Sequence, residues 1–336
     1  MTHRLAGLRP SELHPVYPAM VMGTGSLSTG AALLGLPSLS VALFALALAT
    51  FALLLVLTLL RCAHHRPAVR ADAQHPAKAF APYTLVAALA VLANRATLAG
   101  LTAAPAVALA LGLAGAVALA WPAVRMLRAH AARPQAATGN WQLPAVAIEA
   151  LALLATALAK RLQSPAFAAV AVVAWVAGIL AYLIAVPALL RRCRRAPFGP
   201  ADFTPDYWTP MAVPSLIGLV AAQLWAAGAA PGAAAVLEGA AFGGLAISAA
   251  LAPVWIVLQA RRLVFDPSAR RYSPVWWGLV FPTAIVVVAA QVIGTTFDAP
   301  WLHTPALVGY ACVLGAWVII GLGMLRDVWR VAGAER

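Results

Sequence analysis

The sequence predicts an all-α integral membrane protein with ten transmembrane helices, arranged as five helical hairpins. Three observations predict it. Ten apolar stretches are spread along the whole 336-residue chain, and no polar linker separates halves. The chain is 63% hydrophobic and 10% charged, with a mean hydropathy of +0.88, which leaves too little polar surface for a soluble globule. When the stretches are taken as spans, 20 of the 23 Lys and Arg residues fall on one side of the implied membrane. Arg95, Lys160 and Arg161 alone fall on the other. Cytoplasmic loops retain positive charge, so both termini are placed in the cytoplasm. A miscounted span would scramble this bias, so the asymmetry also checks the count.

The spans run roughly 15–35, 38–61, 80–98, 103–127, 141–160, 165–190, 207–228, 234–260, 274–294 and 303–326. A helix needs about 20 residues to cross about 30 Å of hydrocarbon, and each stretch qualifies. Residues 1–14 and 327–336 are then short cytoplasmic ends flanking a single membrane domain, 15–326. The first 14 residues are polar, and no small-residue cleavage site follows them. Outer connections are short, such as Gly35 to Pro37 and Arg161 to Ser164. Inner ones are longer, basic and rich in Pro or His, as in "RCAHHRPAVRADAQHPAK".

The two members of each hairpin differ. Odd spans carry an aromatic near the inner end and a proline in the first turns: Tyr17 with Pro18, Phe80 with Pro82, Trp141 with Pro144, Trp208 with Pro210 and Pro214, Trp277 with Pro282. Even spans are plainer runs such as "VALFALALATFALLLVLTLL". An interior proline frees a carbonyl and kinks the helix, which a bilayer tolerates where the freed group faces protein or water. Five kinked helices beside five plain ones predict a ring, odd helices inside around a central pore and even helices outside.

Polar residues sort the same way. The first span holds "MGTGSLSTG", with Thr24, Ser26, Ser28 and Thr29 among glycines. Such hydroxyls either bond their own backbone, allowing close packing, or face a wet cavity. Gln223 and Gln291 add amides to the seventh and ninth spans, whereas Ser248 and Gln259 are exceptions in an even one. Glu149 is the one carboxylate well inside a span. An ionisable group there costs about 2.5–3.5 kcal/mol on insertion scales, so it faces the protein interior or water. It is either a protonatable group on a transport path or a carboxyl that packs against a neighbouring helix. Arg95, beside Asn94, either draws anions to an outer mouth or snorkels to headgroups, the commoner fate of such residues.

Other chemistry is poorly supported. The net charge of +13 lies in short loops at membrane ends, where orientation and anionic headgroups account for it without nucleic acid. Cys62, Cys193 and Cys312 have no metal-ligand spacing, and His64, His65, His75 and His130 sit in basic inner loops as solvated residues. Ser26 and His303 lie too far apart in depth to form a hydrolase pair. No cofactor is expected, and no enzyme activity.

The motifs "YPAMVMGTGSLS", "NWQLPAVA", "TPDYWTPMAVPS" and above all "YSPVWWGLVFP" resemble the tellurite-resistance/dicarboxylate transporter family, bacterial homologues of the plant guard-cell slow anion channel. The resemblance covers essentially the whole chain. It implies ten helices in five hairpins, odd helices lining a pore in each subunit, a homotrimer in the bacterial inner membrane, and a ninth-helix phenylalanine that occludes the pore. The matching residue is Phe281, immediately before Pro282. Relatives include malate carriers and sulfite exporters, so chloride, nitrate, sulfite and dicarboxylates are all admissible permeants. A carboxylate at the Glu149 position departs from the family pattern and admits proton-coupled export of a dicarboxylate, sulfite or a tellurite-related solute. The plant members' phosphorylated tails have no counterpart in the short ends. A structural or sensory membrane protein with no permeant solute is the rival of another class. The pore-lining candidates are Thr24, Ser26, Ser28, Pro144, Glu149, Pro214, Gln223, Pro282 and Gln291, with Phe281 as gate.

Overall fold

The computed structural model describes residues 10–130, 133–195 and 199–334. Arg4, Arg9 and Arg336 of the basic set, with most of the N-terminal segment, lie outside the described residues. Within them the chain is helical, with no strand. Five long helices, of 28 to 32 residues, are α2 (Pro37–His64), α5 (Ala103–His130), α7 (Pro165–Arg195), α9 (Ala234–Phe265) and α11 (His303–Ala334). Five shorter ones, of 16 to 20 residues, alternate with them: α1 (Pro18–Leu33), α4 (Tyr83–Leu98), α6 (Leu143–Leu162), α8 (Thr209–Ala226) and α10 (Trp277–Thr296). A nine-residue helix, α3 (Arg66–Gln74), lies in the first basic loop.

Among the described residues, eight helices are long and apolar enough to cross a membrane by length and composition. The other two, α1 and α4, have 16 residues each, about 24 Å at 1.5 Å per residue.

Short and long helices occupy different places. Each short helix packs on the long one that follows it, α1 on α2 through to α10 on α11. The short helices also touch one another in a closed cycle: α1 with α4, α4 with α6, α6 with α8, α8 with α10, and α10 back to α1. Burial follows this order. In their most apolar windows α6, α8 and α10 are 67–78% buried, whereas the five long helices are 17–28% buried. The long helices present Leu, Val, Ile and Trp outward, for instance Leu53, Val117, Ile184 and Trp329. An apolar exterior is what a hydrocarbon environment requires.

The aromatic and proline signals fall at helix starts, with Pro18, Pro144 and Pro210 in the first turn of α1, α6 and α8, while Pro214 and Pro282 stand inside α8 and α10. Three-residue or four-residue 3-10 turns, Gly139–Gln142, Pro205–Trp208 and Pro274–Trp276, lead into α6, α8 and α10. Proline suits such positions because its missing N–H leaves no donor unsatisfied at a helix start. The indoles are anchored there: Trp141 Nε1 donates to the Pro76 carbonyl at 3.2 Å and Trp277 Nε1 to the Tyr272 hydroxyl at 3.1 Å.

The turns that follow the short helices repeat even more closely. The five positive-φ residues of the described chain are Gly35, Gly100, Gln163, Gly228 and Asp298, one after each short helix. In each case the next N–H reaches back five residues: Leu36 to Ala31, Leu101 to Ala96, Ser164 to Ala159, Ala229 to Leu224 and Ala299 to Gly294. A left-handed residue closing a helix with this bond satisfies carbonyls that the helix end would leave open. Five copies of one helix stop set the five short helices in a common register.

Candidate functional site

A cavity of ≈ 350 Å³ opens among the C-terminal ends of the short helices. Its walls come from α1 (Thr29, Leu33), α4 (Asn94, Thr97, Leu98), α6 (Leu153, Ala157, Lys160, Arg161), α8 (Leu219, Gln223) and α10 (Val288, Val292). No long helix contributes. A second void of ≈ 20 Å³ continues it, sharing Thr29, Asn94, Leu153, Leu219 and Val288 and adding Ser26, Ala90, Val91, Ala150, Leu216 and Ile285. That volume holds about one water molecule. The passage therefore narrows from a polar, cationic mouth to a slot whose walls are mostly apolar, with Ser26, Thr29 and Asn94 as its polar members.

Counting inward from the left-handed residues explains the taper. Thr29, Asn94, Ala157 and Val292 each lie six residues in. Ser26, Val91 and Leu219 lie nine in, with Leu153 and Val288 ten in, and this layer is apolar apart from one hydroxyl. The Ser26 Oγ is buried and has no hydrogen-bond partner among the described residues.

Phe281 lies on the same face of α10 as Ile285, Val288 and Val292, one turn inward of Ile285. It is 2% exposed. The helix carrying it is brought close to α1 by Gly23: a Cβ there would meet Val280 Cγ1 at 2.9 Å and the Phe281 nitrogen at 3.4 Å. The glycine of "MGTG" thus serves the approach of two short helices at the level of the phenylalanine.

Several sequence candidates turn elsewhere. The Thr24 hydroxyl donates to the Met20 carbonyl at 2.8 Å and accepts from Trp317 Nε1 of α11 at 2.9 Å. The Ser28 hydroxyl donates to the Ser40 carbonyl on α2 at 2.7 Å. Neither borders the two voids, since these positions lie on the side of α1 that meets long helices. Pro144, Pro214 and Pro282 do not border them either, and the Pro214 carbonyl is packed where a Cβ on Gly244 of α9 would stand only 2.1 Å away. Gln291 is buried, with both amide atoms unpartnered among the described residues, and is absent from both linings. Ser26 and Gln223 are the candidates brought to the walls.

Glu149 is fully buried and points at α7. A Cβ on Gly178 would stand 2.3 Å from its Oε1, and neither carboxyl oxygen has a partner among the described residues. Ala150 and Leu153, its neighbours along α6, border the slot, and Glu149 does not.

Arg95 departs from the snorkelling expectation. It is 7% exposed, donating from Nε to the hydroxyls of Ser28 and Ser40 at 3.1 Å each and from Nη2 to Ser40 at 2.8 Å. Its guanidinium carbon lies 5.2 Å from the Phe44 ring centroid. The two serines give their own protons to each other's carbonyls at 2.7 Å, which frees their lone pairs for the cation. This fork of donors, with an aromatic face to rest on, makes burial favourable where a long bare chain would reach for headgroups.

Sequence reasoning read Lys160 and Arg161 only as markers of orientation; it named Thr29 among hydroxyls that bond the backbone or face a wet cavity and Asn94 beside Arg95, and placed neither among the pore-lining candidates. The signal was available in the spacing of 153, 157, 160 and 161 along one helical face. Only the closed cycle of helices says that this face is the one turned to the axis.

A bundle of long apolar helices with an apolar exterior defines a multi-pass membrane protein. The chain belongs to the voltage-dependent anion channel family, whose profile matches residues 12–325. Its membership makes the role one of anion transport across a membrane. No curated protein matches the sequence.

Proposed function

We propose that the protein conducts small anions across the bacterial inner membrane through the axis of the five short helices, with Phe281 as the gate. The ten helices act as five hairpins with both termini cytoplasmic, and the subunits associate as a homotrimer. The observation that carries this reading is a passage walled by all five short helices, wide and cationic at one end and tapering to a one-water slot one turn short of Phe281. Weak hydrogen-bonding groups and a dewetted constriction suit conduction, because an ion held tightly would not leave. The inner-side excess of Lys and Arg supports the orientation.

Flux into liposomes of chloride, nitrate, sulfite and malate, each at two pH values, tests it. Flux of chloride or nitrate that ignores pH is the expected outcome. Flux of none favours a structural or sensory protein. A second reading, proton-linked export of a dicarboxylate, sulfite or a tellurite-related solute, draws on the unpartnered carboxyl of Glu149. It requires flux that rises with a proton gradient and loses that response in Glu149→Gln, which keeps shape and hydrogen-bonding capacity.

A further inference from the structure

We propose that the outer cavity is a binding site for an oxyanion, held by Asn94, Lys160, Arg161 and Gln223 before it enters the slot. This rests on the anion-transport reading above and gives that path its first station. Three independent observations converge on it.

The first is the donor set. The four side chains project from α4, α6 and α8 onto one cavity. None of them has a side-chain hydrogen bond or ion pair within the described residues, whereas the other polar groups of the wall are spent: Thr29 donates to the Gly25 carbonyl at 3.1 Å and Thr97 to the Asn94 carbonyl at 2.7 Å. Two amides, an ammonium and a guanidinium left with free N–H groups present donors without a matching acceptor. Several spread donors suit the oxygens of a carboxylate, nitrate or sulfite better than a single spherical ion, and a guanidinium can engage two oxygens at once.

The second is charge. Lys160 and Arg161 are two of the three cations on the outer side, and the third, Arg95, is buried among serines behind α4. The outer carboxylates Glu238 and Asp298 border neither void and pair with neither cation. A cleft of one sign with low-dielectric walls concentrates counter-ions.

The third is size. The ≈ 350 Å³ cavity accommodates a four-carbon dicarboxylate, and the ≈ 20 Å³ void beneath it does not. An anion therefore waits above the slot, where both cations are still in contact with water and release is easy. The buried, unpartnered Ser26 hydroxyl lines the way down.

The test uses a reporter thiol, Leu98→Cys, on the cavity wall in a chain whose exposed Cys62, Cys193 and Cys312 are replaced by serine. Modification rates by an anionic and a cationic methanethiosulfonate of similar size are compared with and without Lys160→Gln and Arg161→Gln. Neutralising the pair is expected to lower the anionic-to-cationic rate ratio about tenfold. Millimolar malate should slow the anionic reagent when the pair is present and not when it is absent. Lys78→Gln, on the inner side, should change neither. An unchanged ratio, or malate protection that survives neutralisation, overturns the site. A lowered ratio in a protein that passes none of the four anions supports the site and overturns the conduction reading, so the two fail separately.

Discussion

Glu149 shows what a buried carboxyl does when a neighbour has no side chain. Its oxygens occupy the space that Gly178 leaves on α7, so glycine there is a condition of the α6–α7 contact. Gly178→Ala places a Cβ inside contact distance of the carboxyl and is expected to cost about 1–3 kcal/mol by overpacking. Glu149→Ala removes the obstruction. The double variant should therefore be less destabilised than the two singles added together, by at least about 0.5 kcal/mol in thermal unfolding in detergent. Strict additivity would place the carboxyl away from α7. Just before α1, His14 behaves differently. Its Nδ1 accepts from the Val16 N–H at 3.3 Å, and burial, helped by the Lys78 charge, pushes its pKa from 6.5 down to about 4. The folded state then holds fewer protons than the unfolded one between those values. The stability linked to neutral His14 is complete above pH 6.5 and is lost as pH falls towards about 4. His14→Asn, an acceptor that does not titrate, should remove this component from the pH dependence of the melting temperature. An identical profile in the variant would mean that His14 is solvated. The Asp72 carboxyl contributes lower on the scale: burial alone would raise it, and hydrogen bonds from Lys78 and Arg61 overcome that to hold it below the ordinary carboxylate value, so its contribution is lost only in stronger acid.

At the scale of the element, the five outer turns are one solution used five times, and their residue choice is testable. Gly35, Gly100 and Gly228 have open space where a Cβ would go, so a substitution there meets only the cost of φ between +60° and +89°. Gly100→Ala is expected to lose about 1–2 kcal/mol for this reason. Gln163 holds φ +49° without being glycine, and Gln163→Gly should gain up to about 1 kcal/mol at the same station. Opposite signs at equivalent turns would be read in melting temperatures; equal signs would show that contacts, not φ, govern them. Helix positions were legible in the sequence because length and apolarity alone specify a span: α1, α4 and α8 lie inside their expected stretches, and α6 and α10 run two residues past theirs. The short helices start two or three residues late because Tyr17, Trp141 and Trp208 lie in the turns that lead into them, with Pro18, Pro144 and Pro210 following in the first helical turn. Which face meets the axis was not legible. The short helices are apolar nearly all round, and a helix buried on every side carries no amphipathic signal. Ser28 and Thr24 were therefore indistinguishable from Ser26, although only Ser26 borders the slot.

For the whole molecule, the question is whether the taper ends at Phe281. The phenylalanine lies seven residues inward of Val288 on α10, about 10 Å deeper along the axis. It is buried, and the face it shares with Ile285 and Val288 is the one that walls the slot. On the proposed path a phenyl ring at that depth would block by filling the bore and by making it costly to wet. Phe281→Ala should raise anion conductance strongly, and Phe281→Leu should raise it less because more apolar bulk remains. Planar-bilayer currents in chloride and nitrate measure both, with size-exclusion chromatography as the check that the variants assemble as wild type does. The orientation of Glu149 adds a second expectation. With its carboxyl turned to Gly178 and absent from the slot wall, the current through Phe281→Ala should differ little between acid and alkaline pH. A current that prefers acid pH, and loses the preference when Glu149→Gln is added, would instead put that carboxyl in electrical reach of the path. An assembled Phe281→Ala protein that conducts no more than wild type would remove the gate from α10 and leave the constriction to the apolar layer of Leu153, Leu219 and Val288.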